Sequence, residues 1–499
     1  MCPLRSSGAP ALISVVFAGA ILMSSSPAAA GGYELTSPAA RPNGRGGANY
    51  AGADSPMGLF YNPATMARLR GYHIDGSLHM HFSERCMQRV EVIEDMDGRS
   101  AGTTFPNVCS GGPIGTMPQL GFTAELAEGL TLGAGVFSPP AAFREVHYGD
   151  PDTVTIGQDE MEDPIFSPTR YLFIESKQLQ VFPTVGLAYE PHPQLRLGAS
   201  FAWGITSVTF ATAAYSEVAG GVVTADARNE LEFVDAFVPR VHLGAWARPV
   251  RDFPLELGLS YRWQDNVRTD GGELSIEGFN ASIESEAEGE ASGVGVRIPQ
   301  TSELAFGMRY AHELDQPEAP YGDRLSSELF DVEAALVLTF NNRVDDYHVD
   351  IPDDATITVT EPLEMEVDLP DELLLAQRWK TQVGVRVGGD YNVVPGVFAV
   401  RGGFSFESQG VEKGYEQLNF QPWRRVGLHL GATVRIANRV DLSATYAHIF
   451  QPDRTVSVQD AQYRRAAGGD ATEEDASIQN AGTFTANYDV LILGASARF

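Results

Sequence analysis

Basic residues, cysteines and long hydrophobic runs are all scarce in this 499-residue sequence. Its 35 lysines and arginines face 65 aspartates and glutamates, which gives a formal net charge of −30 at pH 7. Such an acidic surface repels phosphate backbones, so we expect no nucleic-acid partner. After the N-terminal segment, no apolar stretch approaches the ~20 residues of a transmembrane helix, which excludes a helical membrane protein. There is also no internal repeat and no coiled-coil segment.

The N-terminal segment has the three parts of a secretory signal peptide. Arg5 supplies a positive start, "ALISVVFAGAILM" a short apolar run, and Ala28-Ala29-Ala30 a cleavage site. We therefore expect residues 1–30 to be removed, so that the mature chain starts at Gly31 and is exported.

Two cysteines remain in the mature chain, Cys86 and Cys109, and they flank one hydrophilic stretch. No histidine accompanies them at ligand spacing, and an exported protein matures in an oxidising compartment. The pair therefore predicts a disulfide rather than a metal site. We expect no metal and no cofactor.

The main structural signal is an alternation of apolar with polar or small residues. It predicts strands with one apolar face. Clear examples are "LRLGASFAW" (195–203), "LELGLSYRW" (255–263) and "VGLHLGATVRI" (426–436).

A soluble sandwich would bury the apolar face, whereas a transmembrane barrel would turn it toward lipid. Three features favour the barrel. Links between strands alternate between short and long, and the chain ends on an alternating strand that closes with Phe499. Aromatic residues also collect at strand ends, as in a membrane-interface girdle: Tyr189, Trp203, Tyr261, Trp263, Tyr391 and Tyr446.

The pattern predicts fourteen strands, an even number that returns both barrel ends to the same side of the membrane. Keeping 288–312 as one strand despite Pro299 is required by this parity. The predicted strands are 72–84, 116–127, 130–138, 177–190, 194–208, 233–248, 254–268, 288–312, 328–342, 378–391, 396–408, 421–436, 439–452 and 484–499.

An apolar stretch, "LFYNPATMARL" (59–69), precedes these strands. Asn62 has the side chain of a helix N-cap, and Pro63 suits the first helical position because its missing N–H is not needed there. The stretch predicts one capped helical turn with an apolar surface.

With the wider stretch "GADSPMGLFYNPATMARLRG" (52–71) ahead of a fourteen-stranded barrel, the chain resembles the FadL family of outer-membrane transporters for hydrophobic compounds. The resemblance implies an all-β fold: a 14-stranded antiparallel transmembrane β-barrel over 72–499, with residues 31–71 as a small hatch, or plug, in its lumen. Phe60, Asn62, Pro63 and Ala64 would form the hatch motif.

The resemblance also implies a function and a location. The chain would be a monomeric channel in the outer membrane of a Gram-negative bacterium, among lipid and lipopolysaccharide. It would take up hydrophobic small molecules passively, such as long-chain fatty acids or hydrocarbons, and release them sideways through the wall. Pro139-Pro140, at the end of the third strand, either shape that exit or start a loop. The terminal Phe499 resembles the signal read by the barrel assembly machinery.

Several alternatives stay open. Arg196, Arg262, Arg386 and Arg435 fall on the polar face of their strands, where each either binds a ligand carboxylate or pairs with a neighbouring acidic residue. A structural or adhesive barrel without transport is the main alternative function. His73, His79 and His81 lie near Ser77 and Ser83, but no acidic partner follows from their spacing. We therefore expect no enzymatic activity.

Overall fold

The chain forms a closed antiparallel β-barrel whose lumen holds its own N-terminal segment. The computed structural model describes residues 37–96, 98–138, 143–159, 161–214, 227–278, 287–315, 322–353, 355–359, 365–369, 371–419, 421–464 and 477–499. The predicted signal peptide, 1–30, and the first residues of the predicted hatch, 31–36, lie outside these ranges.

Fourteen strands make the barrel wall, as the alternation predicted, and the ring closes where the first strand pairs with the last. Each strand is antiparallel to both neighbours in the ring. In order around the wall they are β1 (Tyr72–Asp95), β3 (Gly115–Ala127), β4 (Leu130–Phe137), β8 (Glu175–His192), β9 (Leu195–Ala214), β10 (Ala227–Ala247), β11 (Leu255–Gln264), β14 (Glu303–Glu313), β15 (Glu328–Thr339), β20 (Gln382–Val394), β21 (Phe398–Glu407), β22 (Arg425–Ile436), β23 (Val440–Val456) and β24 (Gly482–Arg498).

One predicted strand is divided. The region 288–312 is broken at Pro299, and only its second part, β14, belongs to the closed ring, between β11 and β15. Its first part pairs above the ring in a hairpin with the residues that follow β11. The predicted number of wall strands is therefore right, although a single strand over 288–312 is wrong.

The outer face of the wall is apolar. Leu78, Leu187, Phe201 and Leu430 are among many large apolar side chains that are exposed there. Five of the six predicted girdle aromatics are also exposed: Tyr189, Trp203, Tyr261, Tyr391 and Tyr446. A closed ring of strands with this surface is a transmembrane β-barrel, since lipid takes the place of a protein core on the outside.

The two ends of the barrel differ. At the short-turn end, strands are joined by brief links such as 128–129, 193–194, 395–397 and 437–439. At the long-loop end, the links carry additional strands that extend the sheet or pair with each other. These strands are β2 (Gly98–Gly111), β5 (Phe143–Tyr148), β6 (Thr155–Gln158), β7 (Pro164–Phe166), β12 (Val267–Gly278), β13 (Ala287–Ile298), β16 (Asp346–Asp350), β17 (Thr356–Val359), β18 (Met365–Asp368) and β19 (Glu372–Ala376).

The loops pack into a core of their own above the lumen, around Trp379, Trp423 and Phe484. The predicted disulfide is confirmed at this end. Cys86 on β1 and Cys109 on β2 face each other across the ladder, with 3.9 Å between their Cα atoms.

Residues 37–71 lie inside the barrel toward the short-turn end, and we call the described part of this segment the plug. It contains α1 (Ala40–Gly44), α2 (Gly58–Tyr61) and a 3-10 helix, Pro63–Arg68. Two further short helices, α3 (Arg324–Ser327) and the 3-10 helix Asn341–Arg343, lie in links. In the described part of the chain, no helix is long and apolar enough to cross a membrane.

Candidate functional site

The apolar part of the plug consists of two short helices joined at Asn62. The backbone of Asn62 is extended, with φ −160°, so α2 ends before it and the 3-10 helix starts after it. Its Oδ1 accepts a hydrogen bond from the Ala64 N–H at 3.1 Å, while Pro63 takes the first helical position. The predicted cap is present, but two short helices replace the single predicted turn.

Asn62 also ties the plug to the wall. Its Nδ2 donates to the carbonyl oxygen of Tyr50 at 2.7 Å and to that of Ala245 on β10 at 3.0 Å. The side chain is fully buried. One amide therefore links the helix start, an earlier plug segment and a wall strand.

The plug fits against inward-facing glycines of the wall. A Cβ atom at Gly244 would lie 2.1 Å from the Asn62 Oδ1, and one at Gly198 would lie 2.4 Å from the Ala64 nitrogen. Contacts this close leave no room for a side chain at these glycines. The plug therefore packs on the glycine-bearing inner face of the wall strands, and we call this face the seat of the plug. Plug atoms also come within 3 Å of a Cβ built at Gly121, Gly133, Gly186, Gly258, Gly388 or Gly403.

Charged pairs hold the opposite side of the plug. The Arg45 guanidinium lies 2.7 Å from the Asp331 carboxylate on β15 and 3.2 Å from that of Asp390 on β20. On β15, the Glu333 carboxylate also accepts a hydrogen bond from the Tyr50 N–H at 2.7 Å. All of these groups are buried. Because a buried charge that loses its partner is strongly unfavourable, the network fixes where the plug sits.

The four arginines predicted as candidate lumen bases all pair with carboxylates. The pairs are Arg196 with Glu190, Arg262 with Glu303 at 3.1 Å, Arg386 with Glu407, and Arg435 with Asp323 at 2.8 Å and Asp441 at 2.6 Å. This geometry favours the second of the two interpretations, that of paired lumen charges. Arg262 also borders a cavity, where its guanidinium lies 4.9 Å from the centre of the Phe60 ring.

A cavity that is partly open to solvent lies at the long-loop end, and we call it the loop-end cavity. About 730 Å³ of space lies within it when open solvent is included. Strands β8, β9, β10, β12, β13, β16 and β19 and four loop segments contribute to it. Its lining consists of Ser176, Gln178, Gln180, Thr206, Val208, Phe210, Leu231, Phe233, Val267, Val296, Ile298, Gln300, Tyr347, Val349, Leu375, Gln377, Gln417, Asn419 and Tyr463.

A second, smaller cavity of about 280 Å³ lies where the tip of the plug meets the wall, and we call it the plug cavity. Its lining combines aromatic and cationic side chains. These residues are Leu59, Phe60, Phe137, Phe182, Thr184, Ser200, Ala202, Arg240, His242 and Arg262.

Strand β8 runs past both cavities. Its lumen-facing side chains change from Gln178 and Gln180 in the loop-end cavity to Phe182 and Thr184 in the plug cavity. Between the cavities lies a polar contact chain: Arg240 donates to Gln264 at 2.6 Å, and Gln264 donates to Gln300 at 3.1 Å. The alternation in "SKQLQVF" could have indicated these lumen glutamines, but the sequence interpretation did not use it.

The wall ladder is interrupted beside the plug cavity. β3 pairs with β1 from Tyr72 to His81, but its ladder with β4 stops at Leu120 and Val136. Among the described residues, 115–119 of β3 therefore have no ladder partner on β4. The Gln119 side chain bridges this place, since its amide donates to the Ser138 carbonyl at 2.7 Å and accepts from the Ser138 N–H at 3.0 Å. Pro139-Pro140, predicted at this position, lie outside the described residues.

The remaining candidate residues lie at the seam between β1 and β24 or along β1. Phe499 exchanges two backbone hydrogen bonds with Tyr72, at 2.9 and 3.1 Å, and its side chain is exposed. The Ser77 hydroxyl accepts a bond from the plug residue Ala40 at 3.4 Å, while the rings of His79 and His81 lie 6.0 Å apart on the lumen side.

No protein-family model matches the chain, and no curated protein matches it in sequence. Several solved structures share its fold. A FadL homologue of Pseudomonas aeruginosa has a TM-score of 0.68 at 13% identity, over 94% of this chain and 100% of that one.

Two toluene transporters are also similar, each at 14% identity and over 94% of this chain and 99% of its own length. TodX of P. putida has a TM-score of 0.59, and TbuX of Ralstonia pickettii has one of 0.55. The resemblance predicted from the sequence is therefore confirmed in the fold.

Proposed function

We propose that this chain is a channel in the outer membrane of a Gram-negative bacterium that takes up hydrophobic small molecules passively. The proposal rests on one observation, the arrangement of two cavities one after the other along the lumen. A largely apolar cavity under the loops is followed along β8 by a second cavity at the plug, and that cavity adjoins an interruption of the wall.

The physical need for such a route is clear. A lipopolysaccharide leaflet resists apolar solutes, and a water-filled pore does not remove them from water. An apolar cavity binds them because burying their surface is worth about 25 cal/mol per Å². Proteins of similar fold are described as toluene transporters, which supports uptake of hydrophobic compounds. For this chain we propose hydrocarbons and long-chain fatty acids.

Lateral release is the second part of the proposal. The plug fills the lumen toward the short-turn end, so a compound in the plug cavity meets the plug residues Leu59 and Phe60. Beside it, residues 115–119 of β3 have no ladder partner on β4 among the described residues, and the Gln119 side chain reaches across to Ser138. A compound that leaves here enters lipid, or the space below it, without crossing the charged network around Arg45.

We further propose that the chain works as a monomer, that lipopolysaccharide surrounds it, and that the barrel assembly machinery inserts it. The lumen route lies within one chain, so no second copy is needed to complete it.

The test uses two tryptophan substitutions on β9. Ala202→Trp places a large side chain in the plug cavity, whereas Ala199→Trp places the same side chain on the exposed outer face. Uptake of labelled toluene and labelled palmitate is measured in cells that make each variant at equal membrane level. We expect Ala202→Trp to abolish uptake of the transported compound and Ala199→Trp to leave it unchanged.

Equal uptake by the two variants would show that the plug cavity is not on the route. No uptake by the unsubstituted protein would favour a structural or adhesive barrel. Single-channel recordings in planar bilayers complete the test, because lateral release predicts uptake of the hydrophobe with little ion current through the plugged lumen.

A further inference from the structure

We infer that the loop-end cavity selects uncharged apolar compounds that carry at most a neutral hydrogen-bonding group, and that it rejects ionised carboxylates. This inference rests on the proposed function and narrows its class of substrates. Hydrocarbons and neutral aromatic alcohols fit the cavity, whereas fatty-acid anions do not.

The first argument is the lining itself. Among the described residues that line the loop-end cavity there is no aspartate, glutamate, lysine, arginine or histidine. This contrasts with the rest of the lumen, where charged residues surround the plug. An ionised carboxylate moved from water into this cavity would meet no cation among its described lining residues, and burying an unpaired charge is strongly unfavourable.

The second argument concerns the polar residues of the cavity, most of which are amides. Gln417 donates an amide N–H to the Ala376 carbonyl at 2.6 Å, and Gln377 donates to the Leu375 carbonyl at 3.3 Å. Each of these contacts occupies one of the two N–H groups of its amide, so fewer donors remain for a carboxylate. The amide oxygens, in contrast, accept from a hydroxyl group, and an amide satisfies one neutral polar group without a charge.

The third argument is the location of the neighbouring cations. Arg85 donates to the Asn419 carbonyl at 3.1 Å, and Arg343 donates to the Ser302 hydroxyl at 2.7 Å, so each is held behind the lining by a neutral partner. Arg240 and Arg262 lie deeper, in the plug cavity, beyond the Gln264 contact. A compound that enters from the loops therefore meets the uncharged cavity first.

Tyr463 adds a neutral donor to this lining. It lies in the loop after β23, and burial raises the pKa of its phenol to about 12. The hydroxyl group therefore stays protonated at neutral pH, and the cavity gains no charge from it.

The experiment compares three probes of one ring system: 2-methylnaphthalene, 2-naphthol and 2-naphthoate. Binding to the purified full chain in lipid nanodiscs is followed by probe fluorescence at pH 7. We expect the two neutral probes to bind and 2-naphthoate to bind at least about tenfold more weakly, a difference in dissociation constant that titration resolves readily. At about pH 4 the carboxyl group of this probe becomes protonated, and the difference should shrink.

A charge variant makes the test specific. Gln180→Lys places an ammonium group in the cavity, and we expect it to strengthen 2-naphthoate binding about tenfold or more while weakening 2-methylnaphthalene. Gln88→Lys, at an exposed position of β1, is the matched control. It should change the binding of neither 2-naphthoate nor 2-methylnaphthalene.

The outcomes are distinguishable. Equal binding of 2-naphthol and 2-naphthoate to the unsubstituted protein at pH 7 would overturn the inference alone, and so would a Gln180→Lys variant that folds and binds like its parent. If the Lys variant does not fold, the pH dependence of 2-naphthoate binding to the unsubstituted protein decides. Absence of binding and of cellular uptake for all three probes would overturn the proposed function itself.

Discussion

Substituting Asn62 by alanine should release the tip of the plug without unfolding the barrel. The variant loses three hydrogen bonds from one buried side chain: the cap to Ala64 and the two bonds to the carbonyls of Tyr50 and Ala245. At about 0.5–1.5 kcal/mol for each bond, the docked state of the tip loses about 2–4 kcal/mol. Since ~1.4 kcal/mol corresponds to a factor of ten, its docking equilibrium falls by roughly two orders of magnitude.

The charged network around Arg45 and Glu333 does not involve Asn62, so the rest of the plug should stay in place. The wall strands keep their ladders, and the barrel should stay folded and heat-resistant on gels. We expect the uptake of a labelled hydrophobe to fall because the plug cavity loses its shape, and ion conductance to rise only slightly. Deletion of 31–71 should raise conductance much more.

Hydrogen exchange measures the effect directly. Backbone amides of residues 64–69 should exchange roughly 100-fold faster in Asn62→Ala than in the unsubstituted protein, with no change in β10 or β15. Asn62→Ser is the informative partner, because its hydroxyl group retains a cap but not the two amide donors. The exchange rates of Asn62→Ser should lie between those of the unsubstituted protein and those of Asn62→Ala. Identical exchange, uptake and conductance for all of these proteins would refute the role assigned to Asn62.

Three further predictions concern the seat of the plug, the short-turn end and the seam. Gly244→Leu should displace Asn62 and lower uptake while the barrel folds, whereas Gly76→Leu, where a Cβ meets nothing closer than 3.8 Å, should have no effect on uptake. Burial alone would raise the pKa of Asp323, but hydrogen bonds from two arginines and a serine lower it to about 2. Its stabilisation, about 2 kcal/mol, is therefore complete above pH ~4 and lost as the pH falls toward 2, so urea titrations should show Asp323→Asn to lack this part of the acid dependence. Deleting Phe499 should lower the amount of folded barrel in membrane fractions, and normal amounts would argue against a role in assembly.

The wall was predictable because its signal is local. In a strand between lipid and lumen, apolar and polar or small residues alternate along the sequence. Strands such as those at 195–203 and 426–436 can therefore be recognised from their own residues. Asn62 as a cap and the Cys86–Cys109 pair are also local signals. Pro299 shows the limit of this approach: parity required one strand at 288–312, whereas the proline ends β13 and a separate strand, β14, completes the ring.

The site was less predictable because its contacts join distant parts of the chain. Face assignment predicted Arg386 and Arg435 as lumen residues, but their partners, Glu407 and Asp323, follow from the closed ring rather than from spacing. The second role of Asn62, as a link to Ala245, has no signal in sequence either. The loop-end cavity is assembled from strands as far apart as β8 and β19.

The position of the plug constrains the order in which the barrel is built. The plug directly precedes β1, and β1 forms the seam with β24, yet Arg45 of the plug pairs with Asp331 on β15, far around the ring from that seam. Because these buried charges are stable only as partners, we expect the growing sheet to curl around the plug while its seam is still open. In this order of assembly the plug acts as an internal template for the sheet, and joining β1 to β24 is the step that encloses it.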